Sequence, residues 1–370
     1  MKLLLVTGLD PYARCVATVH GYVAAAAALG HEVWVFGDPD PKLPSLPFTT
    51  EVAGFDLVLF AIGIVQDFPD MPQLAWLLDE VPRSRRVIAD LWARYGEAIR
   101  VDHDFNHLEK LDGHQGWEWI EAFDAVSDVI VQPTLTPLRP DARTFFFYGF
   151  DPAAIARPHE SAKEAADAWR DAGPHAKRHG VMYVGNNWQR WDQLRRFLSK
   201  YGPVRDRIGR ACVIGWHWDR RPDWAIDNGI AGVDVDAAFL AQLDVETRRP
   251  MPFDEVVGLL GEARFAPVLH RPLFRQLGFV TNRTFETFYA DTLPVLMLPR
   301  DFVEAIYGPA ALALVPGDDL AAHLMDALRR PEPHWEAVLR TRAHLASHHS
   351  FARRFEELST MLGGGSRGCS

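Results

Sequence analysis

Short runs of consecutive apolar residues alternate with longer mixed stretches along the first part of the chain. The first run covers residues 3–6, and an alanine-rich stretch over residues 16–29 follows it and stops at Gly30. A short apolar run predicts a buried strand, and a longer apolar-rich stretch that ends at a glycine predicts a helix. The chain therefore opens with a βα unit.

The same alternation continues through the first half. Further strands are predicted at residues 33–36, 57–60, 87–89, 129–131 and 144–147. Strands that alternate with helices form parallel sheets whose two faces are both covered by helices. The first half is thus predicted to be a doubly wound parallel sheet.

The strand pattern stops after residue 151 and then starts again. Residues 152–178 are rich in Ala, Glu, Lys, Asp and His and predict one polar helix within a linker. Beyond them, strands are predicted at residues 181–184, 212–214, 267–269, 294–297 and 312–315. The predicted fold class is α/β, with two Rossmann-like, doubly wound parallel-sheet domains that face each other across a cleft.

Composition and charge narrow the class of protein. A chain of 370 residues with 48% hydrophobic and 24% charged residues is long enough for two globular domains. The formal net charge of -10 opposes attraction to phosphate backbones, so nucleic acid is not predicted as a partner, although a local basic patch is compatible with this charge. The three cysteines are far apart, which favours the cytoplasm over a disulfide framework or zinc knuckle. The first apolar run is too short for a signal sequence, and no integral membrane segment is predicted.

The segment over residues 281–296 has the most informative pattern: loop, helix, turn and strand. Residues 281–284 are expected at the helix N-terminus, where backbone N–H groups and the helix dipole attract anions, and Arg283 adds a bidentate donor for phosphate. Glu286, expected in the first turn, has a carboxylate that can accept hydrogen bonds from ribose hydroxyls. A glutamate in a first turn also simply complements the helix dipole, so both interpretations stay open.

This segment, with Arg283, Phe285 and Glu286, resembles the donor-binding helix of nucleotide-sugar glycosyltransferases with two Rossmann domains, the GT-B fold, in particular the group 1, spore-maturation-protein-like group. Residues 147–151 resemble the junction that closes the first domain of that family. Residues 184–186 are similar to the opening of its second domain, and residues 349–356 to its closing helix. Each motif is short, but together they span nearly the whole chain in the expected order.

The resemblance implies a domain plan. Residues 1–151 would form the acceptor-binding domain, residues 152–178 a linker helix, and residues 179–345 the nucleotide-sugar-binding domain. Residues 346–362 would form a helix that returns to the first domain, and residues 363–370 a disordered tail.

The resemblance also implies an activity. The implied protein is a bacterial-type, hexosyltransferase-like enzyme that transfers a sugar from a nucleotide diphosphate sugar to a hydroxyl acceptor. The nucleotide would be UDP or GDP. The resemblance also implies retention at the anomeric carbon and a reaction that uses neither a metal nor a cofactor. The larger retaining families carry an earlier glutamate that contacts the sugar, where this chain has Phe279. The hexose contact and the stereochemical outcome therefore stay open.

Candidate donor-binding residues lie where predicted strands of the second half end and at the start of the 281–296 segment. They are Gly185, Asn187, Arg190, His270, Arg271, Thr281, Asn282, Arg283, Thr284 and Glu286. Arg190 is expected to offset diphosphate charge as the donor breaks, or to be a solvated arginine at a helix start. Basic side chains here would line an anion site in an acidic protein, which makes a metal for the leaving group unnecessary.

The acceptor side is expected in the first half. Gly8, Asp10 and Tyr12 follow the opening strand, and His20 lies on the next helix, where a histidine is more often packed or exposed than catalytic. Of the three glycines in a dinucleotide fingerprint only Gly8 is present, which disfavours a nicotinamide cofactor. A small molecule or soluble glycan is favoured as acceptor, because no amphipathic stretch rich in Lys and Arg is found.

The catalytic candidates are Asp90, His103 and Arg283. A general base must accept the proton of the acceptor hydroxyl near neutral pH, and Asp90 or His103 suits this task, while Arg283 would stabilise the departing diphosphate. His103 and His107 have a spacing that zinc sites also use, and a surface helix with capping aspartates is a further interpretation. No metal is predicted.

The sequence is also compatible with two other functions. One is a nucleotide-sugar epimerase of the same architecture, and the other is a non-catalytic member that binds a glycan or nucleotide. The sugar, the base, the acceptor and the oligomeric state cannot be read from the sequence.

Overall fold

The computed structural model describes residues 1–9, 15–61, 95–101, 123–170, 177–227, 229 and 232–363. The chain divides into two compact units. Unit 1 consists of Met1–Gly149 and His349–Ser370, and unit 2 consists of Phe150–His348. The strand predicted at residues 87–89 and the tail at residues 364–370 lie outside the described residues.

Unit 1 contains a seven-stranded sheet in which all the pairs are parallel. Its strands are β1 (Lys2–Val6), β2 (Glu32–Phe36), β3 (Phe48–Thr49), β4 (Leu57–Phe60), β5 (Glu97–Val101), β6 (Val129–Gln132) and β7 (Ala142–Thr144). Their order is β3-β2-β1-β4-β5-β6-β7. Helix α1 (Cys15–Leu29) connects β1 to β2. The central strands β1 and β4 are almost entirely buried, which explains their unbroken apolar runs.

Unit 2 contains a second parallel sheet, with five strands. They are β8 (His179–Val184), β9 (Ala211–Ile214), β10 (Glu246–Arg248), β11 (Ala263–Val268) and β12 (Leu293–Leu296), in the order β10-β9-β8-β11-β12. The chain moves from β8 towards one edge of the sheet and later from β11 towards the other. Open α/β sheets bind ligands at such a switch point, beyond the carboxyl ends of the strands.

The helices of unit 2 follow the strands in the βα alternation that the sequence predicts. They are α2 (Ala162–Arg170), α3 (Trp191–Tyr201), α4 (Arg205–Ile208), α5 (Asp223–Asp227), α6 (Ala237–Gln242), α7 (Val256–Gly261), α8 (Pro272–Leu277), α9 (Asn282–Tyr289), α10 (Arg300–Tyr307), α11 (Leu320–Arg329) and α12 (Pro331–His348). None of the helices in the described part of the chain has both the length and the apolar character that a membrane crossing requires.

The segment predicted as a linker packs on unit 2. Helix α2 buries Trp169, whose indole Nε1 donates a hydrogen bond to the carbonyl of Arg264 at 3.0 Å. Two other residues of the segment contact Asp291 of unit 2: its carboxylate lies 3.1 Å from His159 Nε2 and 3.0 Å from Lys177 Nζ. A buried carboxylate needs such partners, so these contacts fix the segment to the sheet of unit 2.

Helix α13 (Phe351–Gly363) packs against α1 in unit 1. The ring of Tyr22 lies 5.3 Å from that of Phe351, and its hydroxyl donates to the carbonyl of Phe147 at 2.9 Å. A Cβ atom on Gly21 would overlap the Phe351 ring, so the close approach of the two helices requires a glycine there.

Two strand predictions are wrong in detail. Residues 312–315 do not form a strand but belong largely to a 3₁₀ helix, Pro309–Leu314. The apolar residues of this segment are buried because helices pack against it. An apolar run alone does not distinguish a buried helical segment from a buried strand. The strand predicted at residues 144–147 ends at Thr144.

Candidate functional site

The loops that follow β8 and β9 are held together at the carboxyl edge of the unit 2 sheet. The indole of Trp218 donates a hydrogen bond to the carbonyl of Gly185 at 2.6 Å. A Cβ atom on Gly215 would overlap the Gly185 carbonyl, so the two loops approach as closely as a glycine permits. Gln189 and His217 have φ angles of 52° and 66°, a left-handed conformation that is unusual for these residues. Strained backbone of this kind is held in place by surrounding contacts and is enriched at functional sites.

Asn187 provides several of those contacts. Its side-chain nitrogen donates to the carbonyls of His217 at 3.0 Å and Val233 at 3.2 Å, and its backbone nitrogen to that of Trp216 at 2.9 Å. The side chain is fully buried. Asn187 therefore stabilises the loops around the site, and a direct contact with a ligand stays a prediction.

Arg190 precedes α3 and is half-buried beside this loop. Its guanidinium donates to the carbonyl of Asn186 at 3.1 Å, while its Nε has no hydrogen-bond partner within the described part of the chain. Burial, together with the positive charge of Arg283, holds the pKa of Arg190 below its usual value. A bound anion would offset both effects.

His270 follows β11 and is only 2% exposed. Neither ring nitrogen has a hydrogen-bond partner among the described residues, and the ring packs against that of Phe302 at 5.1 Å. Burial and the charges of Arg190 and Arg275 lower the pKa of His270 to about 3. The imidazole is therefore neutral at physiological pH and carries one ring N–H. Because buried N–H groups normally donate a hydrogen bond, this group is available to donate to a bound ligand.

Helix α9 begins at this edge with Thr281 as its N-cap residue. The Thr281 backbone nitrogen donates to the Thr284 hydroxyl at 2.9 Å, which fixes the start of the helix as predicted. Arg283 forms an ion pair with Glu286 one turn further on. The carboxylate of Glu286 is 1% exposed although its partner is partly exposed.

The prediction that Glu286 lies in the first turn is wrong. The helix begins at Asn282, so Glu286 is its fifth residue and the first turn contains no acidic residue. The helix dipole acts mainly within the first turn and does not account for a buried carboxylate beyond it. This removes the simpler of the two interpretations of Glu286.

A small crevice lies between β8, β11 and α9. It is lined by residues that include Tyr183, Val184, Pro267, Leu269, Arg283, Glu286 and Thr287. Tyr183 and Thr287 are not among the predicted site residues, because Tyr183 is hidden within an apolar strand and Thr287 within a helix. The position of Tyr183 next to the carboxyl end of β8 is the signal that identifies it.

The predicted donor-binding residues all belong to unit 2 and lie in the loops after β8 and β11, at the N-cap of α9 or within α9. Arg271 is buried, with its guanidinium 3.9 Å from the centre of the Phe274 ring. The arrangement combines two arginines, a neutral histidine, a helix N-terminus and a buried carboxylate. Chemically this suits a ligand with phosphate groups and hydroxyls.

The acceptor-side and catalytic predictions are mostly outside the described residues. Asp10, Tyr12, Asp90 and His103 lie there. Gly8 is buried after β1, and His20 is half-buried in α1, where burial lowers its pKa. Their roles stay predictions.

One group of side chains has donor atoms suited to a metal ion. His179, Cys212 and Glu246 have such atoms within 4.8 Å of one another, towards the amino ends of strands β8, β9 and β10. The guanidinium of Arg248 lies 2.6 Å from the Glu246 carboxylate and 3.4 Å from His179 Nε2. Because an arginine already balances the carboxylate, these residues suit an ion pair better than a metal.

Two doubly wound parallel sheets, one in each unit, define the double-Rossmann architecture of the GT-B glycosyltransferases. Neither a protein-family model nor a curated protein matches the sequence. Solved structures do match along the full length. An alpha-glucosyltransferase in complex with UDP-glucose and DNA containing an abasic site has a TM-score of 0.63 at 11% identity, covering 98% of this chain and 99% of that chain. HepE of Anabaena in complex with UDP-glucose has a TM-score of 0.56 at 10% identity, covering 98% and 100%. This likeness confirms the predicted α/β fold with two Rossmann-like domains.

The prediction that excludes nucleic acid is wrong. The alpha-glucosyltransferase that shares this fold is found in complexes with 13-mer DNA as well as UDP. Net charge averages over the whole surface, whereas binding depends on the charges near the ligand. The value of -10 therefore does not exclude a nucleic-acid partner.

Proposed function

We propose that the protein is a glycosyltransferase that moves a sugar from a nucleotide diphosphate sugar to a hydroxyl acceptor. The observation that supports this most directly is the cluster of Arg190, His270 and Arg283 beside the buried Glu286, at the switch point of the unit 2 sheet. Cationic and N–H groups in such a position suit a diphosphate, and a buried carboxylate suits the ribose hydroxyls next to it.

In this proposal the arginines stabilise the diphosphate as it leaves. Burial and the positive charge of Arg283 hold the pKa of Arg190 below its usual value. Negative charge that develops on the diphosphate beside the two guanidinium groups offsets both effects, so it is stabilised more in the transition state than in the bound donor. The neutral His270 donates one hydrogen bond. We propose on this basis that the departing diphosphate needs no divalent metal.

We propose a UDP-sugar as the donor to test first and UDP-glucose among the sugars. The solved alpha-glucosyltransferase and HepE structures with this fold contain UDP or UDP-glucose. Glu286 would accept hydrogen bonds from the ribose, and the loops that Asn187 stabilises would bind the base and diphosphate. GDP remains a second candidate nucleotide.

The acceptor is proposed to bind unit 1, near Gly8 and His20. Asp90 or His103 would take the proton of its hydroxyl, and we propose retention at the anomeric carbon. A glycan or a small molecule is a candidate acceptor, and so is nucleic acid, because the alpha-glucosyltransferase with this fold is found in complexes with DNA. Replacing Asp90 with Asn, or His103 with Gln, should lower kcat without changing the affinity for UDP.

Calorimetric titration with UDP, GDP and ADP tests the donor site. Hydrogen bonds to charged groups contribute about 1.5 to 3 kcal/mol, so Arg283→Ala should weaken nucleotide binding roughly tenfold or more. Arg340→Ala is the matched control, because Arg340 is an exposed arginine in α12 that pairs with Glu336 at 2.6 Å, just as Arg283 pairs with Glu286. Absence of nucleotide binding, or equal affinities in Arg283→Ala and the wild type, would refute the proposed site.

Product analysis separates transfer from the epimerase alternative. UDP-glucose incubated alone should be recovered unchanged or slowly hydrolysed, and UDP release should rise when an acceptor is added. An epimerised sugar nucleotide in the absence of acceptor would contradict the transferase proposal. The anomeric configuration of a product, read by NMR, tests retention.

A further inference from the structure

A polar groove lies beside the candidate donor site in unit 2. Its polar residues are Asp192, Gln193 and Arg196 of α3 and Arg275 and Gln276 of α8. It has a volume of about 460 Å³ and is open to solvent. We call it the arginine groove.

Two exposed arginines line this groove together. In the described part of the chain, the side chains of Arg196 and Arg275 form neither a hydrogen bond nor an ion pair. Some exposed arginines elsewhere in unit 2 pair with carboxylates, as Arg210 does with Asp244 at 3.1 Å, whereas others, such as Arg207 and Arg249, have no ion pair among the described residues and do not line the groove. What distinguishes Arg196 and Arg275 is that two guanidinium groups without an ion pair share one groove.

Asp192, the acidic residue of the groove, has a separate explanation. It lies in the first turn of α3, where a carboxylate complements the helix dipole. It therefore does not need to serve as a partner for Arg196. The side-chain amides of Gln193 and Gln276 add N–H donors and carbonyl acceptors to the same groove.

The groove adjoins the site proposed for the donor. Helix α8 begins directly after His270 and Arg271, and α3 begins directly after Arg190. Arg275 also contributes to the low pKa of His270, which places it within electrostatic reach of that residue. A group bound in the groove would lie close to the proposed donor site without occupying the crevice beside Glu286.

We propose that the arginine groove binds a phosphate group carried by a ligand other than the donor. Guanidinium groups bind phosphate oxygens through paired hydrogen bonds, and glutamine amides are frequent partners of phosphate groups. An open groove suits a group that is part of a larger molecule better than a small ligand that must be enclosed. The inference rests on the proposed function, because it places this ligand beside the proposed donor site.

Two probes distinguish the sources of the phosphate. A short fluorescein-labelled oligonucleotide supplies phosphodiesters, and glucose 6-phosphate supplies a phosphomonoester. Binding is measured by fluorescence anisotropy and calorimetry with the full-length protein, with and without UDP, in the wild type, Arg196→Ala and Arg275→Ala. Arg195→Ala is the control, because Arg195 is exposed on the same helix but lies over the Phe239 ring at 5.6 Å.

Each groove variant should weaken binding of one probe about three- to tenfold, and Arg195→Ala should change it less than twofold. For an oligonucleotide, the slope of log K against the logarithm of the salt concentration should also become shallower, by about 0.7 to 0.9 for each arginine removed. Arg196→Ala should bind UDP as the wild type does. That result separates failure of this inference from failure of the proposed donor site.

Three outcomes would overturn the inference. One is that neither probe binds, or that binding does not depend on Arg196 and Arg275. Another is that Arg196→Ala weakens UDP, which would make the groove part of the donor site. The third is that glucuronate binds in preference to both phosphate probes, because the groove would then be selective for a carboxylate.

Discussion

Replacing Glu286 with Gln is the most informative change at the candidate site, because it should have opposite effects on two parts of the same ligand. The Glu286 carboxylate is buried and forms an ion pair with Arg283. A phosphate group that binds Arg283 must therefore compete with this carboxylate for the guanidinium. A hydrogen bond to a charged group contributes about 1.5 to 3 kcal/mol, and the partial exposure of Arg283 favours the lower value. Glu286→Gln should therefore strengthen pyrophosphate binding by roughly tenfold.

Uridine should respond in the other direction. It has ribose hydroxyls but no phosphate, and an amide oxygen is a weaker acceptor than a carboxylate by about 1 kcal/mol, which corresponds to a roughly fivefold loss of affinity. UDP, which combines both parts, should change less than either. Calorimetry with pyrophosphate, uridine and UDP measures the three affinities.

A matched variant and a stability measurement are needed to interpret this result. Glu336→Gln breaks the exposed pair with Arg340 in α12 and should leave all three affinities unchanged. Melting curves followed by circular dichroism show whether Glu286→Gln remains folded. Parallel weakening of pyrophosphate and uridine in a folded variant would refute the proposed division of roles between Arg283 and Glu286.

Three further predictions concern stability. The pKa of His270 in the folded protein is about 3, below its ordinary value, so protonation favours the unfolded chain and the free energy of unfolding should fall as the pH decreases from about 6.5 towards 3. Urea titrations of His270→Leu should show a weaker pH dependence over this range. Burial raises the pKa of Asp291, but His159 and Lys177 outweigh this effect and hold the pKa at about 2. Asp291 should therefore contribute about 2 kcal/mol to the free energy of unfolding, fully above about pH 4 and progressively less towards pH 2. If the free energy of unfolding of Asp291→Asn depends on pH as that of the wild type does in this range, the prediction is wrong. Gly21→Ala should destabilise the protein by about 1 to 3 kcal/mol in urea titrations, because its methyl group meets the Phe351 ring, and Phe351→Leu should recover part of the loss.

The fold is predictable to the extent that each strand is buried on both faces. β1 and β4 consist of apolar runs and are correctly predicted, whereas β5 and β10 contain charged residues and are missed. In β5, Arg100 is buried because it pairs with Asp124, a residue distant in sequence. No local pattern reveals such a pair, since it depends on the tertiary fold.

The candidate site is predictable in position but not in its interactions. Strand ends and a helix start are visible in the sequence, so Arg190, His270 and Arg283 are expected at this edge of the sheet, and their role in binding stays a prediction. The burial of Glu286 and its ion pair with Arg283 depend on where α9 begins and on how it packs. The pKa shifts of Arg190 and His270 likewise arise from neighbours that only the folded chain brings together.

The net charge of the protein and the charges at its candidate sites have opposite effects on an anionic ligand. At physiological ionic strength charges are screened beyond about 8 Å, so most of the net charge of -10 is too distant to act on a ligand at the carboxyl edge of the unit 2 sheet. Arg190 and Arg283 at one point of this edge, and Arg196 and Arg275 at another, then determine the sign of the interaction. If they dominate, added salt weakens the binding of UDP; if the net charge dominates, salt screens a repulsion and strengthens it. The direction of the salt dependence therefore tests whether the local arginines or the net charge controls the binding of an anion.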